Sequence, residues 1–223
     1  MGSELVLQVT SEQWRDVEAD DAFKATLVFL EKFTKSPETL SVSDVRAVYQ
    51  AGSEQIDLEH AVIVGCIFSS MNRQVDAFGA DLEEQHVERV RKLLETRGRL
   101  YERRKSPKKS PMIGPSYPDF VTHLLHSFRE GKGDAPVELR RAIEARVAGA
   151  TGAVREHYEL PNSLASFVDK VGGDVWSLTD EDFNELKAEG WAELAIYEFV
   201  FVAAMASGIG RLEVAWSAMQ EAS

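Results

Sequence analysis

Slid along itself by 138 residues, the chain meets its own pattern. Phe29 falls on Phe167, Lys32 on Lys170, Leu40 on Leu178, Asp44 on Asp182 and Gly52 on Gly190. Val62 then falls on Val200, Val64 on Val202, Ser69 on Ser207, Arg73 on Arg211 and Ala77 on Ala215, with no gap. Ten identities in 49 positions are few, so the weight rests on the kinds of residue that recur. Helix caps and a helix-ending glycine return in register, which is how a repeated structural unit marks a sequence.

Each copy reads as three helices. The first is "AFKATLVFLEKF" in one copy and "NSLASFVDKV" in the other. The second opens at Ser41 with Asp44 three positions on, and at Thr179 with Asp182. This is a capping box with Asp in place of the usual Glu: the hydroxyl accepts an orphan backbone N–H and the carboxylate favours the positive helix end. Val45 and Val48, like Phe183 and Leu186, sit three apart on one helix face. Gly52 and Gly190 end these helices, where a left-handed residue is needed and only glycine adopts it cheaply. The third helix spans about 55–78 and 193–219. Its middle, Ala61 through Phe68 and Phe199 through Met205, is apolar on every side, which predicts burial on every side. The expectation is an all-α helical bundle of two repeats, its core built on two buried central helices related by a pseudo-twofold.

The rest of the chain divides the copies. "HVERVRKLLETRGRLYERRKSPKKSPMIGPSYPDF" begins as an amphipathic helix with Val87, Val90, Leu93 and Leu94 on one side. It ends in a stretch holding Pro107, Pro111, Pro115 and Pro118, which reads as loop because proline breaks helix and lysine resists burial. The predicted organisation is a first unit over 1–105, a Pro/Lys-rich linker over 106–117 and a second unit over 118–223. Further helices are expected at "DFVTHLLHSFRE" and "PVELRRAIEARVAG", the latter with Pro136 near its start and Gly149 past its end. "ELVLQVT" at residues 4–10 shows the best strand alternation, or is a tail.

Bulk properties narrow the function. The 223 residues are 44% apolar and carry a net charge of -12, with a pI near 4.9. An acidic surface repels phosphate backbones, so nucleic acid is not an expected partner. The run Arg97 to Lys109 is basic, but Tyr101 is its lone aromatic, so a solvated linker is the plainer reading than a strand-binding patch. The single cysteine, Cys66, has no partner in the chain for a disulfide. The two most apolar runs, "AVIVGCIFSSM" and "FVFVAAMASGI", are shorter than the roughly 20 residues of a membrane span. No signal-peptide pattern opens the chain. The expectation is a cytoplasmic protein without membrane contact.

The segments "VFLEKFTKSPETLSVSDVRAVYQAG" and "IDLEHAVIVGCIFSSMNRQVDAFG" resemble the alkyl hydroperoxidase D-like proteins of the carboxymuconolactone decarboxylase superfamily. The helix ending in Phe68, Ser69, Asn72 and Arg73 is similar to that family's pattern. "VDKVGGDVWSLTDEDFNELKAEGWAELAIYEFVFVAAMASGIGRLE" resembles the same unit again. The peroxidase members use a Glu, a Cys twelve residues on, a second Cys three further and a His four beyond it. The resemblance lays these roles on Glu54, Cys66, Ser69 and Arg73, so the nucleophile position is a serine and the histidine position an arginine. The second copy offers Ala192, Ala204, Ser207 and Arg211. A dithiol cycle therefore has no second sulfur, and arginine does not shuttle protons at neutral pH. The resemblance implies a homo-oligomer, a dimer or higher, with a catalytically complete relative as a candidate partner, and no cofactor. The function it implies is a binding or assembly member of the superfamily that lacks the dithiol. The alternative is a cysteine-poor enzyme, decarboxylase-like or peroxidase-related, with a pocket near the two arginines.

Each candidate residue also has a plainer role. Cys66 lies in an apolar run, where a thiol is a small buried hydrophobe; the sharper role is a one-cysteine redox site. Arg73 and Arg211 suit helix ends, where they hydrogen-bond carbonyls. The sharper role is bidentate binding of an anionic ligand, with Asn72 assisting. Glu59 and Glu198 sit at helix starts, which explains a carboxylate without catalysis. His123 and His126 share a helix face, but two ligands do not make a zinc site, and no metal is expected. His60 and His157 stand apart from them.

Overall fold

The structure is a computed structural model that describes residues 15, 18–79 and 117–222. Among the described residues it is all-helical: eight α-helices, two short 3-10 turns and no strand. The suggested strand at 4–10, the amphipathic helix around 87–94, the basic run and the proline-rich linker up to 116 lie outside the described residues.

Helix α1 (Asp21–Lys35) starts where the Asp20 carboxylate accepts from the Phe23 N–H at 2.7 Å, and closes with Lys32 and Lys35 against its negative end. Phe29 and Phe33, one turn apart, carry its buried face. A 3-10 turn at Pro37–Thr39 leads to α2 (Val42–Gln50). The predicted capping box is present there: the Ser41 N–H donates to Asp44 Oδ2 at 2.8 Å. Gly52 follows with φ of +103°. Helix α3 runs from Gln55 to Ala77.

Helices α4 (Tyr117–Glu130) and α5 (Val137–Ala150) come next. Two boundaries differ from what the sequence predicts. Pro118, expected in a loop, stands in the first turn of α4. There a missing N–H costs nothing, because no intrahelical acceptor waits for it. Gly149, expected beyond α5, lies inside it, and the helix continues to Ala150; the left-handed residue is Gly152, at φ +93°.

Helix α6 (Asn162–Gly172), a 3-10 turn at Val175–Ser177, α7 (Asp180–Ala188) and α8 (Glu193–Ala222) complete the order. The 3-10 turns, α2 with α7, and the starts of α3 and α8 all fall 138 residues apart. Thr179 forms the second capping box with Asp182, and Gly190 has φ +95°. An ion pair that the sequence does not announce also recurs. Lys32 Nζ donates to Asp44 Oδ2 at 2.7 Å, and Lys170 Nζ to Asp182 Oδ1 at 2.5 Å.

At both sites burial works to raise the aspartate pKa. The hydrogen bonds from the lysine and from the capping residue outweigh it, and hold both carboxyls below the ordinary carboxylate range. A depressed folded-state pKa gives stability that is present at neutral pH and lost as pH falls through that value. Asp44→Asn and Asp182→Asn are each expected to cost about 1 kcal/mol at pH 7. The difference from wild type should shrink once pH drops below about 4, in urea melts run from pH 2 to 7. A constant difference across that range would remove the aspartate charge from the account.

The described chain forms two compact units, and neither is continuous in sequence. Of the described residues, the first holds those up to Ser70, Glu144–Glu159 and those from Met205 on. The second holds 71–79, 117–143 and Leu160–Ala204. Helices α3, α5 and α8 each begin in one unit and end in the other. In the first unit Phe29, Phe33, Val45, Leu58 and Ile209 are fully buried. In the second, Leu164, Phe167, Leu186 and Phe199 are, with Phe167 edge-on to Phe183 at 5.1 Å and Trp191 edge-on to Phe199 at 5.2 Å.

One expectation about the core is corrected. Hydropathy predicts that both long helices are buried all round. Helix α8 meets this through its middle, where Phe199, Val202, Ala206 and Ile209 are inaccessible. Helix α3 does not: Leu58 and Val62 are buried, but Val64, Ile67, Phe68 and Met71 are about half exposed. The difference lies in cover. Gly210 of α8 lies so close to α5 that an added Cβ would sit 2.9 Å from the Ala148 Cα, whereas no described helix closes over the matching face of α3. Helix α8 is long and apolar enough to cross a membrane by length and composition, and 67% of its most apolar window is buried inside the protein.

Candidate functional site

The residues on which the resemblance places the peroxidase roles begin at the start of α3. Glu54 is exposed and precedes the first helical residue. At 1.5 Å per residue, Cys66 lies about 16 Å further along the helix axis, so the carboxylate and the thiol are at different levels of the fold. Cys66 is buried, and desolvation pushes its pKa up to about 12 against a weaker opposing pull from Arg211. The group is a neutral thiol at physiological pH. Ser69 is half-buried, and its neighbour Ser70 is buried with its hydroxyl donating to the Cys66 carbonyl at 3.0 Å.

The two arginines occupy equivalent places and serve equivalent groups. Arg73 Nε donates at 2.9 Å to the carbonyl of Gly172, the last residue of α6. Arg211 is buried; one terminal nitrogen donates to the Ser207 carbonyl at 2.9 Å and also to the Ser207 hydroxyl. The other reaches the Thr34 carbonyl, in the last turn of α1, at 3.4 Å. Thr34 and Gly172 are themselves 138 residues apart, so Arg73 of α3 serves the end of α6 and Arg211 of α8 the end of α1. Burial lowers the Arg73 pKa against a raising pull from Asp76. Asn72 is exposed beside it.

Sequence reasoning missed a partly buried ion-pair network in the first unit. Arg155 Nε meets Glu144 Oε1 at 2.8 Å, and Arg155 Nη2 meets Glu213 Oε2 at 2.7 Å. Desolvation opposes the Arg155 charge, and the two carboxylates outweigh it and raise the pKa. The available signal was Glu144 itself, a carboxylate set between Ile143 and Ala145 in an apolar helix face. Glu198 is accounted for by geometry: its two oxygens accept from the Asp134 and Ala135 N–H groups at 2.8 and 3.0 Å, just ahead of α5. His123 and His126 are both exposed on the surface of α4, and among the described residues no three His, Cys, Asp or Glu side chains are grouped to hold a metal ion.

Two clefts occur at matching places. One, of about 370 Å³ in the first unit, lies at the start of α2 beside Leu40, Ser41, Arg155, Glu213 and Ser217. The other, of about 660 Å³ in the second unit, lies at the start of α7 beside Leu178, Thr179, Phe183, Lys187 and Phe78. The first is walled by the capping Ser41 and the far end of α8, the second by the capping Thr179 and the far end of α3. Neither contains Cys66, Arg73 or Arg211. No protein-family model, curated protein or solved structure matches this chain.

Proposed function

We propose that this chain is a duplicated alkyl hydroperoxidase D-like protein that has given up the peroxidase dithiol and works in binding or assembly rather than in thiol chemistry. The observation that carries the chemical half is Cys66: a lone, desolvated, neutral thiol with a serine hydroxyl on its own carbonyl. The arginines point the same way, since both spend donors on helix carbonyls.

Three geometric facts support a pseudo-twofold relation between the copies. The elements recur at one spacing. The arginine contacts are reciprocal. Ser70 and Gly208, which are equivalent positions, touch one another: a Cβ on Gly208 would collide with Ser70 Oγ. Self-contact between equivalent residues is what a twofold axis produces. On this reading the protein is cytoplasmic and oligomeric, and a thiol-complete relative is a candidate partner.

The test is thiol reactivity. At pH 8 a thiol with a pKa near 12 holds on the order of a thousandfold less thiolate than an ordinary cysteine. Cys66 should therefore ignore a disulfide reagent in the native protein and react stoichiometrically in denaturant. Rapid native labelling, or peroxide turnover with a thiol reductant, would overturn the proposal. The alternative enzyme reading needs the arginines to receive an anion. It would be favoured if phosphate or a dicarboxylate raised the melting temperature of wild type but not of Arg73→Ala.

A further inference from the structure

We propose that the exposed apolar face of α3 is the contact surface of a homodimer, in which a second copy of this chain lies antiparallel across it with Met71 at the twofold axis. This deepens the assembly reading above by naming the surface and the occupant. The face consists of Val64, Ile67, Phe68, Met71 and Val75, continued just past the helix end by Phe78, which stacks on the Tyr197 ring at 4.7 Å; each is between 40% and 57% exposed. Positions 64, 68, 71, 75 and 78 step by four, three, four and three, the spacing of a seam that packs against another helix. The only exposed polar side chains interleaved with them are Asn72 and Asp76, as expected for an interface core depleted of charge.

The area is sufficient. Six such side chains expose roughly 550 Å² together, so two copies bring about 1,100 Å², above the roughly 1,000 Å² that a specific interface needs. The equivalent face of α8 shows what such a surface takes. There Ala206 and Ile209 are buried, and Gly210 lies against α5. Among the described residues, the same face is helix-covered in the second copy and bare in the first.

The pattern is self-complementary, which a twofold contact demands. An antiparallel partner centred on Met71 sets Val64 opposite Phe78 and Phe68 beside Val75, large against small. It also keeps the two Asp76 carboxylates about 15 Å apart along the axis, whereas a parallel pairing would oppose them directly.

The experiment is sedimentation of the full chain over a concentration series, at low and high salt, for wild type and Met71→Glu. Wild type should run as a dimer that tightens with salt, because two chains of charge -12 repel at long range while the seam is apolar. Met71→Glu opposes two carboxylates on the axis and should raise the dissociation constant by about 100-fold or more, with an unchanged circular dichroism spectrum and melt. Met71→Cys should form a disulfide-linked dimer on mild oxidation. A wild-type dimer indifferent to Met71→Glu would overturn the surface while leaving assembly intact. A monomer at all concentrations would overturn the proposal. If the thiol introduced at position 71 is then protected from a thiol reagent, the chain's own residues cover the face. If it is reactive, the face is left for a different partner.

Discussion

Gly208→Val is expected to be among the most damaging single substitutions in the chain. A Cβ at 208 would run into Ser70 Oγ and lie 2.7 Å from the Cys66 carbonyl oxygen. The hydroxyl can rotate away, but the carbonyl belongs to the backbone of α3 and cannot. The two long helices would have to part, and Val62, Cys66 and Ile209 beside the crossing would lose contact. Overpacking of this kind costs about 3 kcal/mol or more, which for a chain of this size lowers the melting temperature by roughly 6–12 °C. Gly208→Ala should cost less, since the better helix propensity of alanine returns up to about 1 kcal/mol. Gly65→Ala is the control: its Cβ would approach only the Phe33 ring edge, at 3.0 Å, where a small shift suffices. Calorimetry on the three variants should rank them in that order. An unaffected Gly208→Val protein would mean that α3 and α8 do not cross there.

Arg211→Ala should follow closely, at about 3 kcal/mol. The side chain is buried, and its removal takes the donor from the Thr34 carbonyl, the second bond from the Ser207 carbonyl, and leaves a cavity. Arg73→Ala, half-buried and serving Gly172, should cost about 1–2 kcal/mol. Lysine is not expected to rescue position 211, because one ammonium cannot reach two carbonyls in different directions as a guanidinium fork does. If instead the arginines hold a ligand, alanine at 211 would relieve a buried charge, and the stability of the ligand-free protein would rise or hold. Chemical denaturation of both variants separates the two roles by sign.

Much of the helical frame is legible in the residues because caps are local chemistry. Ser41 with Asp44 and Thr179 with Asp182 announce two helix starts, and Gly52 and Gly190 two ends; all depend on neighbours within a few positions. The start of α4 escapes this logic when proline is weighed as a breaker without asking whether it stands in a first turn. What hydropathy cannot tell is which apolar helix has a cover. "AVIVGCIFSS" and "FVFVAAMASG" look alike on the page, but their surroundings differ. The second of them is the covered one, and the first bares a face. The arginines recur visibly, while the carbonyls they serve lie 99 and 177 residues away in the chain. The Glu144–Arg155–Glu213 network is hidden for the same reason.

The interleaving of the two compact units bears on how the protein comes into being. The first unit needs α1, α2 and also residues from Met205 on, so a nascent chain cannot finish it until nearly all of α8 has left the ribosome. Until then Phe29, Phe33 and Val45 have no complete shelter, and the emerging polypeptide presents sticky surface to the cell's chaperones.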